Sequence, residues 1–170
     1  MKLKTIILTT LILLIFTACT PGVPVISETA AAENPLTDIE KARVVLTAYL
    51  DALSRGDYAK AAELYGGDLD VLRGYNPKLA PEDEAALLEN GCELNGFQCL
   101  PMLIIAEEQT LSETSFEFTV RLVAEDGSVF TIGNCCGADP NNTANISLFP
   151  FEVIKQGEQF QVLTLPPYLP

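Results

Sequence analysis

The spacing of apolar residues changes once along this chain, and that change constrains the fold more than any other feature. Between residues 37 and 65 the apolar residues recur every three or four positions, as on one face of a helix. From Leu100 onward they alternate with polar residues, as in a strand with one buried face. Helices followed by strands predict the α+β class, with N-terminal helices packed on an antiparallel sheet.

Two helices are predicted at the start of the folded region. The residues Thr37-Asp38-Ile39-Glu40 form a capping box, which predicts a helix that begins there and ends at Gly56. Asp57 is predicted to cap a second helix, which ends at Gly66-Gly67. Because one turn separates them, the two helices are expected to form a helical hairpin.

A third helix is predicted from Pro81 through Asn90, with Gly91 as its stop. Its first turn carries an acidic triplet, residues 82–84. Carboxylates at that position compensate the positive end of the helix dipole. We therefore interpret the triplet as a solvated helix turn and not as a cation site.

The first strand of the first predicted hairpin is residues 116–122, in which every second residue is apolar. Asp126-Gly127 is typical of a tight turn between strands. The turn leads to Val129–Ile132, so these two segments are predicted to pair with each other.

A second hairpin is predicted from Ile146–Lys155 and Gln159–Leu165, around a turn at Gly157. Pro150 falls inside the first of these strands. Since proline has no amide hydrogen to donate, we expect it at a bulge or at an open edge.

The stretch Ala48–Tyr65 resembles the opening helical hairpin of the nuclear transport factor 2-like superfamily, which includes ketosteroid isomerase and SnoaL-type cyclases. The residues that carry the match are Leu50, Ala52, Leu53, Gly56, Asp57, Tyr58, Ala61, Leu64 and Tyr65. The resemblance implies a curved antiparallel sheet that forms a cone-shaped, cystatin-like roll over about residues 37–165. It implies no particular activity, because this fold is found in enzymes, adaptors and immunity proteins.

The N-terminus resembles the signal peptide of a bacterial lipoprotein. Lys2 and Lys4 precede an uncharged run, Ile6–Ala18, which is shorter than the roughly 20 residues of a membrane span. The run leads into Phe16-Thr17-Ala18-Cys19, an apolar-small-small-Cys pattern similar to a lipobox. The resemblance implies cleavage just before Cys19 and attachment of several acyl chains, palmitate among them, which together give a stable membrane anchor.

These features divide the chain into three segments. Residues 1–18 are the predicted lipoprotein signal peptide, and residues 19–36 are the lipidated cysteine with a flexible, proline-containing tether. Residues 37–170 are the predicted α+β domain, which has the size of one ordinary domain. We expect the protein in the cell envelope, anchored to the outer face of the cell membrane or to the outer membrane.

The four remaining cysteines are Cys92, Cys99, Cys135 and Cys136, and outside the cell they are expected to be oxidised. Asn95-Gly96 lies midway between the first two, so a two-residue turn would place Cys92 opposite Cys99, with Cα atoms about 5.5 Å apart. This local scheme leaves the adjacent cysteines to form a strained bridge or to stay unpaired. Crossed bonding of Cys92 and Cys99 to the adjacent pair avoids that strain, and both schemes stay open.

Charge and composition exclude some classes of function. Removal of residues 1–18 takes away two lysines and leaves 8 basic and 23 acidic side chains, a formal charge of −15. Nucleic-acid binding requires a cationic surface, so it is set aside. Histidine is absent from the sequence, which removes the commonest acid-base group and the commonest metal ligand. No cofactor and no metal site is predicted.

The candidate pocket residues are Tyr49, Tyr65, Tyr75, Glu117 and Arg121. An enzyme on this fold would use a buried carboxylate as a general base. Glu117 and Glu152 are the candidates, with Arg121 or a tyrosine as a hydrogen-bond donor. Glu117 and Arg121 also share the polar face of one predicted strand, where they can pair with neighbours in water. No catalytic residue is therefore assigned.

The predicted function is non-catalytic binding of a small apolar ligand or an envelope protein. One alternative is a histidine-free isomerase or hydrolase that uses a buried carboxylate. A second alternative is a structural module that forms a homodimer through the exposed face of its sheet.

Overall fold

The computed structural model describes residues 35–133 and 145–170, so Cys19, Cys135 and Cys136 lie outside the described residues. Within these ranges the chain forms four helices and one sheet of four strands. In chain order the elements are α1 (Asp38–Ser54), α2 (Tyr58–Leu64), α3 (Asp70–Tyr75), α4 (Glu84–Glu93), β1 (Met102–Thr110), β2 (Ser115–Leu122), β3 (Phe149–Gln156) and β4 (Gln159–Val162). The predicted α+β class is confirmed.

The predicted helical hairpin is confirmed. The Glu40 carboxylate accepts hydrogen bonds from the Thr37 amide (2.7 Å) and the Thr37 hydroxyl (2.6 Å), which closes the capping box at the start of α1. Gly56 ends the helix with a φ of +74°, a conformation that glycine adopts without strain. The Asp57 carboxylate then accepts from the Lys60 amide at the start of α2.

The predicted bounds of the third helix were wrong. This helix, α4, begins at Glu84, where the Asp83 carboxylate accepts from the Ala86 amide at 3.1 Å. It continues through Gly91 to Glu93. Gly91 does not end the helix but lies where α4 contacts α3. A Cβ atom at this position would lie 3.0 Å from the Leu72 side chain of α3. Glycine therefore allows the two helices to approach closely.

The sheet has the order β1-β2-β3-β4, and each pair of neighbours is antiparallel. Every second residue of β2 is buried, as the alternation predicted. The inner face of the sheet packs on the helices, and its buried residues are Phe116, Phe118, Val120, Leu122, Phe149, Phe151, Val153, Phe160 and Val162. No helix in the described ranges has the length and apolar character needed to cross a bilayer.

The second predicted hairpin is confirmed, since β3 and β4 pair around Gly157, which has a φ of +64°. Pro150 pairs with Thr119 of β2 on one side, and on its other side β3 extends beyond the end of β4. The prediction of an open edge at Pro150 is confirmed as well.

The first predicted hairpin was wrong in its strand pairing. The turn at Asp126-Gly127 forms, with the Gly127 amide donating to the Ala124 carbonyl at 2.9 Å. Beyond it, however, only Val129 bridges back to Val123. Because β1 and β3 occupy both edges of β2, a long pairing with residues 129–132 has no free edge to use.

Two ion pairs fix α1 across the inner face of the sheet. The Arg43 guanidinium donates to both oxygens of Glu108 on β1, at 2.9 and 2.8 Å. At the first residue of α1, Asp38 pairs with Lys155 on β3. Lys155, through its hydrogen bond, holds the pKa of Asp38 below the usual value of 3.8.

We expect Asp38→Asn to lower the urea midpoint of unfolding at pH 7. A carboxyl group whose pKa is lower in the folded state than in the unfolded state stabilises the fold above its ordinary pKa, and this contribution is lost as the pH falls through the lowered value. The difference between parent and variant should therefore shrink as the pH is lowered below 3.8. Urea titrations at a series of pH values measure it, and a difference that does not depend on pH would contradict the assignment.

Candidate functional site

A disulfide bond joins Cys92 at the end of α4 to Cys99, with Cα atoms 5.5 Å apart. The local pairing is therefore present and the crossed scheme is excluded. The predicted reason for the pairing was wrong, because Cys92 is helical and not part of a hairpin. The chain leaves α4 at Leu94 and reverses at Gly96, whose φ is +86°. Cys135 and Cys136 lie outside the described residues.

Three asparagine side chains connect the chain reversal at Gly96 to helices α3 and α4. The Asn90 amide donates to the Asn76 oxygen at 2.9 Å, and the Asn76 amide donates to the Asn95 oxygen at 2.7 Å. Asn76 also donates to the Leu72 carbonyl in α3. The network links the ends of α3 and α4 to the turn, so the disulfide-bonded loop is anchored from its helical side.

The residues Pro167–Leu169, here called the strap, hold the loop from its other side. The Gln98 amide donates to the Pro167 carbonyl at 2.7 Å, and the Leu169 amide donates to the Gly96 carbonyl at 3.0 Å. Between these hydrogen bonds, the Tyr168 ring packs on Phe97 with 5.3 Å between centroids. The loop thus lies between α4 and the strap.

Beside this loop lies a cavity of about 520 Å³, here called the disulfide groove. Its apolar lining comprises Leu53, Phe97, Leu100 and the disulfide itself. Three charged side chains, Arg55, Glu93 and Glu125, lie at its margins. A second cavity of about 330 Å³, here called the extension, shares Gln98, Leu100 and Glu125 with the groove and adds Asp126 and Phe130. The two cavities therefore adjoin the same three residues.

The charges of the disulfide groove differ in their partners. The Arg55 guanidinium lies 2.9 Å from the carboxylate of Asp51, which lies in the last turn of α1, so the charge of Arg55 has a local partner. The Tyr58 hydroxyl donates to the Glu93 carboxylate at 2.7 Å, and burial together with this bond raises the pKa of Tyr58 to about 12. Tyr58 therefore remains protonated at neutral pH and holds the Glu93 carboxylate at the rim.

A third cavity of about 460 Å³, here called the tyrosine groove, is lined by residues 94–96 of the loop and by Tyr168 and Leu169 of the strap. Tyr75 and Tyr168 stack there with ring centroids 6.2 Å apart. Leu94 beside them is 73% exposed and Tyr75 is 49% exposed. This groove is an apolar surface patch, whereas the disulfide groove combines apolar and charged walls.

The five predicted pocket residues do not lie together. Tyr49 and Tyr65 are buried between the helices and the sheet, where their rings stack with centroids 5.8 Å apart. Tyr75 lies in the tyrosine groove. Glu117 and Arg121 are half-buried and lie on the outer face of β2, opposite Glu152 and Ile104 respectively. Glu117 and Arg121 therefore share the outer face of the sheet, whereas none of the three tyrosines lies on that face.

The two buried tyrosines, Tyr49 and Tyr65, differ in the hydrogen bonding of their hydroxyl groups. The Tyr65 hydroxyl donates to the Asp68 carbonyl at 3.0 Å and also lies 3.3 Å from the Leu163 carbonyl. The Tyr49 hydroxyl is fully buried and has no hydrogen-bond partner in the described part of the chain. Burial, with a smaller effect of Tyr65, raises the pKa of Tyr49 well above its usual value. A buried hydroxyl without a partner costs stability.

We expect substitution by phenylalanine to have opposite effects at these two positions. Tyr49→Phe should raise the free energy of unfolding by about 1 kcal/mol because it removes an unpaired buried hydroxyl. Tyr65→Phe should lower it by about 1 kcal/mol because it removes a bonded one. Each variant serves as the matched control for the other in urea denaturation. A loss of stability in both variants would show that the Tyr49 hydroxyl has a stabilising partner.

The groove residues were missed by the sequence analysis. Tyr58, Glu93, Phe97 and Glu125 come from four separate segments, and each carries an ordinary local pattern. The one available signal was the pair of cysteines with Asn95-Gly96 between them, which predicts a closed loop but not what packs against it.

Within residues 35–133 and 145–170, no group of three or more acidic or cysteine side chains is placed to hold a metal ion. Comparisons of the chain with protein-family models, curated proteins and solved structures found no match to any of them.

Proposed function

We propose that this protein is a lipid-anchored domain of the cell envelope that binds a ligand in the disulfide groove and does not catalyse a reaction. Its anchor is Cys19, and its fold is the nuclear transport factor 2-like cone. The ligand is a small molecule with apolar groups or a segment of another envelope protein.

The observation that carries this proposal is the Cys92–Cys99 disulfide in the wall of a cavity. Disulfides persist in oxidising compartments and are rare in the cytosol, which supports export of the domain. A cavity of about 520 Å³ falls within the range of small-molecule sites. One feature thus supports both the location and the binding role.

The strand arrangement supports the cone fold. The register of β1 with β2 shifts between Met102 and Ile104 and again between Ile105 and Glu107. Such irregularities bend a strand and increase its twist, as a curved sheet requires. The order of a helical hairpin, further helices and an antiparallel sheet agrees with the resemblance of residues 48–65.

Binding is favoured over catalysis by the placement of the carboxylates. Glu117 lies on the outer face of the sheet, away from the disulfide groove, and is only half-buried. Glu93, at the rim of the groove, accepts from Tyr58 and is itself exposed. A general base in an enzyme of this kind requires a carboxyl group whose pKa is raised by apolar walls, and neither position supplies them.

The anchor is tested with Cys19→Ser in cells. We expect the parent to incorporate labelled palmitate and to sediment with envelopes, and the variant to lose both properties. Cys99→Ser is the control, because it also replaces a cysteine by serine but leaves the lipobox intact. Equal partitioning of the parent and Cys19→Ser into envelopes would contradict a lipid anchor.

The binding role is tested by native mass spectrometry of the full chain purified in a neutral detergent. We expect a bound molecule or a co-purified partner in addition to the protein mass. The same spectra report the number of oxidised cysteines and the oligomeric state. A bare chain, from cells grown under several conditions, would argue against ligand binding.

A further inference from the structure

We propose that the tyrosine groove is a second binding site, and that its ligand is an uncharged glycan whose sugar rings carry N-acetyl groups. The tyrosine groove shares no lining residue with the disulfide groove, so this site stands or falls independently of the proposed function. Three features of the groove carry the proposal: its exposed aromatic surface, its uncharged lining and a side-chain amide that can donate to a ligand.

The tyrosine groove exposes a cluster of large apolar side chains. Tyr75 is 49% exposed, Tyr168 is 41% exposed and Leu94 is 73% exposed. All three line one cavity of about 460 Å³, which falls within the range of small-molecule sites. Large apolar side chains that are grouped on a surface mark a place of interaction, whereas single ones do not.

The aromatic rings of the groove are held in place without a ligand. The Tyr168 ring packs on both Tyr75 and Phe97, with 6.2 and 5.3 Å between centroids. Phe97 is buried, and its amide donates to the Gly91 carbonyl at 3.1 Å. The hydrogen bonds of the strap fix the backbone on both sides of Tyr168. Because the rings are already ordered, a ligand that stacks on them loses little affinity to side-chain ordering.

An exposed tyrosine ring suits the two-sided chemistry of a sugar. One face of a pyranose ring presents C–H bonds, which pack on the electron-rich face of an aromatic ring, while the hydroxyl groups at its edge stay hydrated. A wholly apolar ligand fits this groove less well. Leu94 and Tyr75 lie on an open surface, where such a ligand would keep much of its own apolar area in water.

The described lining of the groove carries no acidic or basic side chain. It comprises Tyr75, Leu94, Asn95, Gly96, Tyr168, Leu169 and Pro170. The hydrogen bond with Tyr75 raises the pKa of Tyr168, so the Tyr168 hydroxyl stays protonated at neutral pH. A charged ligand would lose hydration at this surface without gaining a partner of opposite charge. The lining therefore favours an uncharged ligand.

Asn95 supplies a hydrogen-bond donor to the groove. The Asn90 amide donates to the Asn76 oxygen at 2.9 Å, and the Asn76 amide donates to the Asn95 oxygen at 2.7 Å. This chain ends on the oxygen of Asn95, so the part of Asn95 that remains for a ligand is its NH₂ group. Successive hydrogen bonds polarise one another, which makes the last amide a stronger donor.

An N-acetyl group matches Asn95 and its neighbour Leu94 together. The carbonyl of the N-acetyl group can accept from the Asn95 NH₂ group, and its methyl group can pack on the exposed Leu94 side chain in the same cavity. A hydroxyl at this position of the sugar could accept from Asn95 but would leave Leu94 in water. The groove should therefore prefer N-acetylated sugars to plain ones.

The test is an NMR titration of the isotope-labelled full chain in a detergent that has no sugar headgroup. The probe is a trimer of N-acetylglucosamine, and the matched probe is a glucose trimer with the same linkage. The side-chain NH₂ signal of Asn95 and the backbone amide of Gly96 report binding in the tyrosine groove. The backbone amides of Arg55 and Tyr58 report binding in the disulfide groove.

We expect the N-acetylated trimer to shift the signals of Asn95 and Gly96, and the glucose trimer to bind at least roughly fivefold more weakly. Y75A removes the aromatic platform and should weaken binding at least roughly tenfold. Y75F is the matched control, because it keeps the ring, and should bind within about twofold of the parent. N95D keeps the oxygen that accepts from Asn76 but lacks the NH₂ group, so it should weaken binding roughly fivefold.

Four results would overturn this inference. Shifts confined to Arg55 and Tyr58 would place the sugar in the disulfide groove. Equal binding of the glucose trimer would mean that the N-acetyl group makes no contact. Y75A that keeps its fold and binds as the parent does would show that the ring is no platform. A dimer of the parent that Y75A abolishes, with no shift by either trimer, would identify the groove as a contact between two copies of the chain.

Discussion

Gly96→Ala should lower the free energy of unfolding by roughly 2–3 kcal/mol. The φ of +86° places Gly96 in the left-handed region, which costs a residue with a Cβ atom roughly 1–2 kcal/mol. In addition, a Cβ atom at this position would overlap the Leu169 carbonyl oxygen. Relief of that overlap requires the strap to move away and to lose its hydrogen bond from the Leu169 amide to the Gly96 carbonyl, a further ~1 kcal/mol.

Gly127→Ala is the matched control for Gly96→Ala. Its φ of +82° is nearly the same, but a Cβ atom there meets nothing within 4 Å. It should therefore cost only the conformational part, about 1 kcal/mol. Chemical denaturation of both variants separates the two contributions. If the two losses were equal, the contact between Gly96 and the strap would contribute nothing to stability.

Removal of the disulfide in the C92S/C99S variant should lower the free energy of unfolding by about 2.5 kcal/mol. The two cysteines are seven positions apart, so the loop that they close is short and its entropy term is correspondingly modest. The variant should also widen the disulfide groove, because the bond forms part of its wall. Urea denaturation of the oxidised proteins measures the change in stability.

A reductant provides the control for the disulfide prediction. Added to the parent, it should lower the stability by about the same amount as the double substitution does. Added to the variant, it reports on any bond formed by Cys135 and Cys136. A parent whose stability does not change on reduction would show that the Cys92–Cys99 bond contributes nothing to the fold.

Most of the helices and strands were predictable because their signals are local. The capping box at residues 37–40, the stop at Gly56 and the alternation in β2 each depend on neighbours within a few positions. The end of α4 was not predictable from the sequence. Gly91 lies inside the helix, where the absence of a side chain allows close contact with Leu72 of α3. Local propensity favours a stop there, and a tertiary contact overrides it.

The candidate site was predictable only in its disulfide. The spacing of Cys92 and Cys99 indicated a closed loop, although the loop begins in a helix and not in a strand. The strap and the two lining segments around Tyr58 and Phe130 reach this loop through contacts that no local pattern encodes. The predicted pocket residues do not lie together for the same reason. The alternation in β2 predicts which face of the sheet Glu117 occupies but not which residues lie beside it.

The strap also dictates an order of assembly around the groove. Cys92 and Cys99 can meet as soon as both have been synthesised, because the intervening segment is short. The Gln98 amide must wait for the Pro167 carbonyl, about 70 residues further along the chain. During that interval the loop is covalently closed but has no cover on its outer side. The tyrosine groove, which Tyr168 and Leu169 line, is therefore completed only after the disulfide has closed the loop.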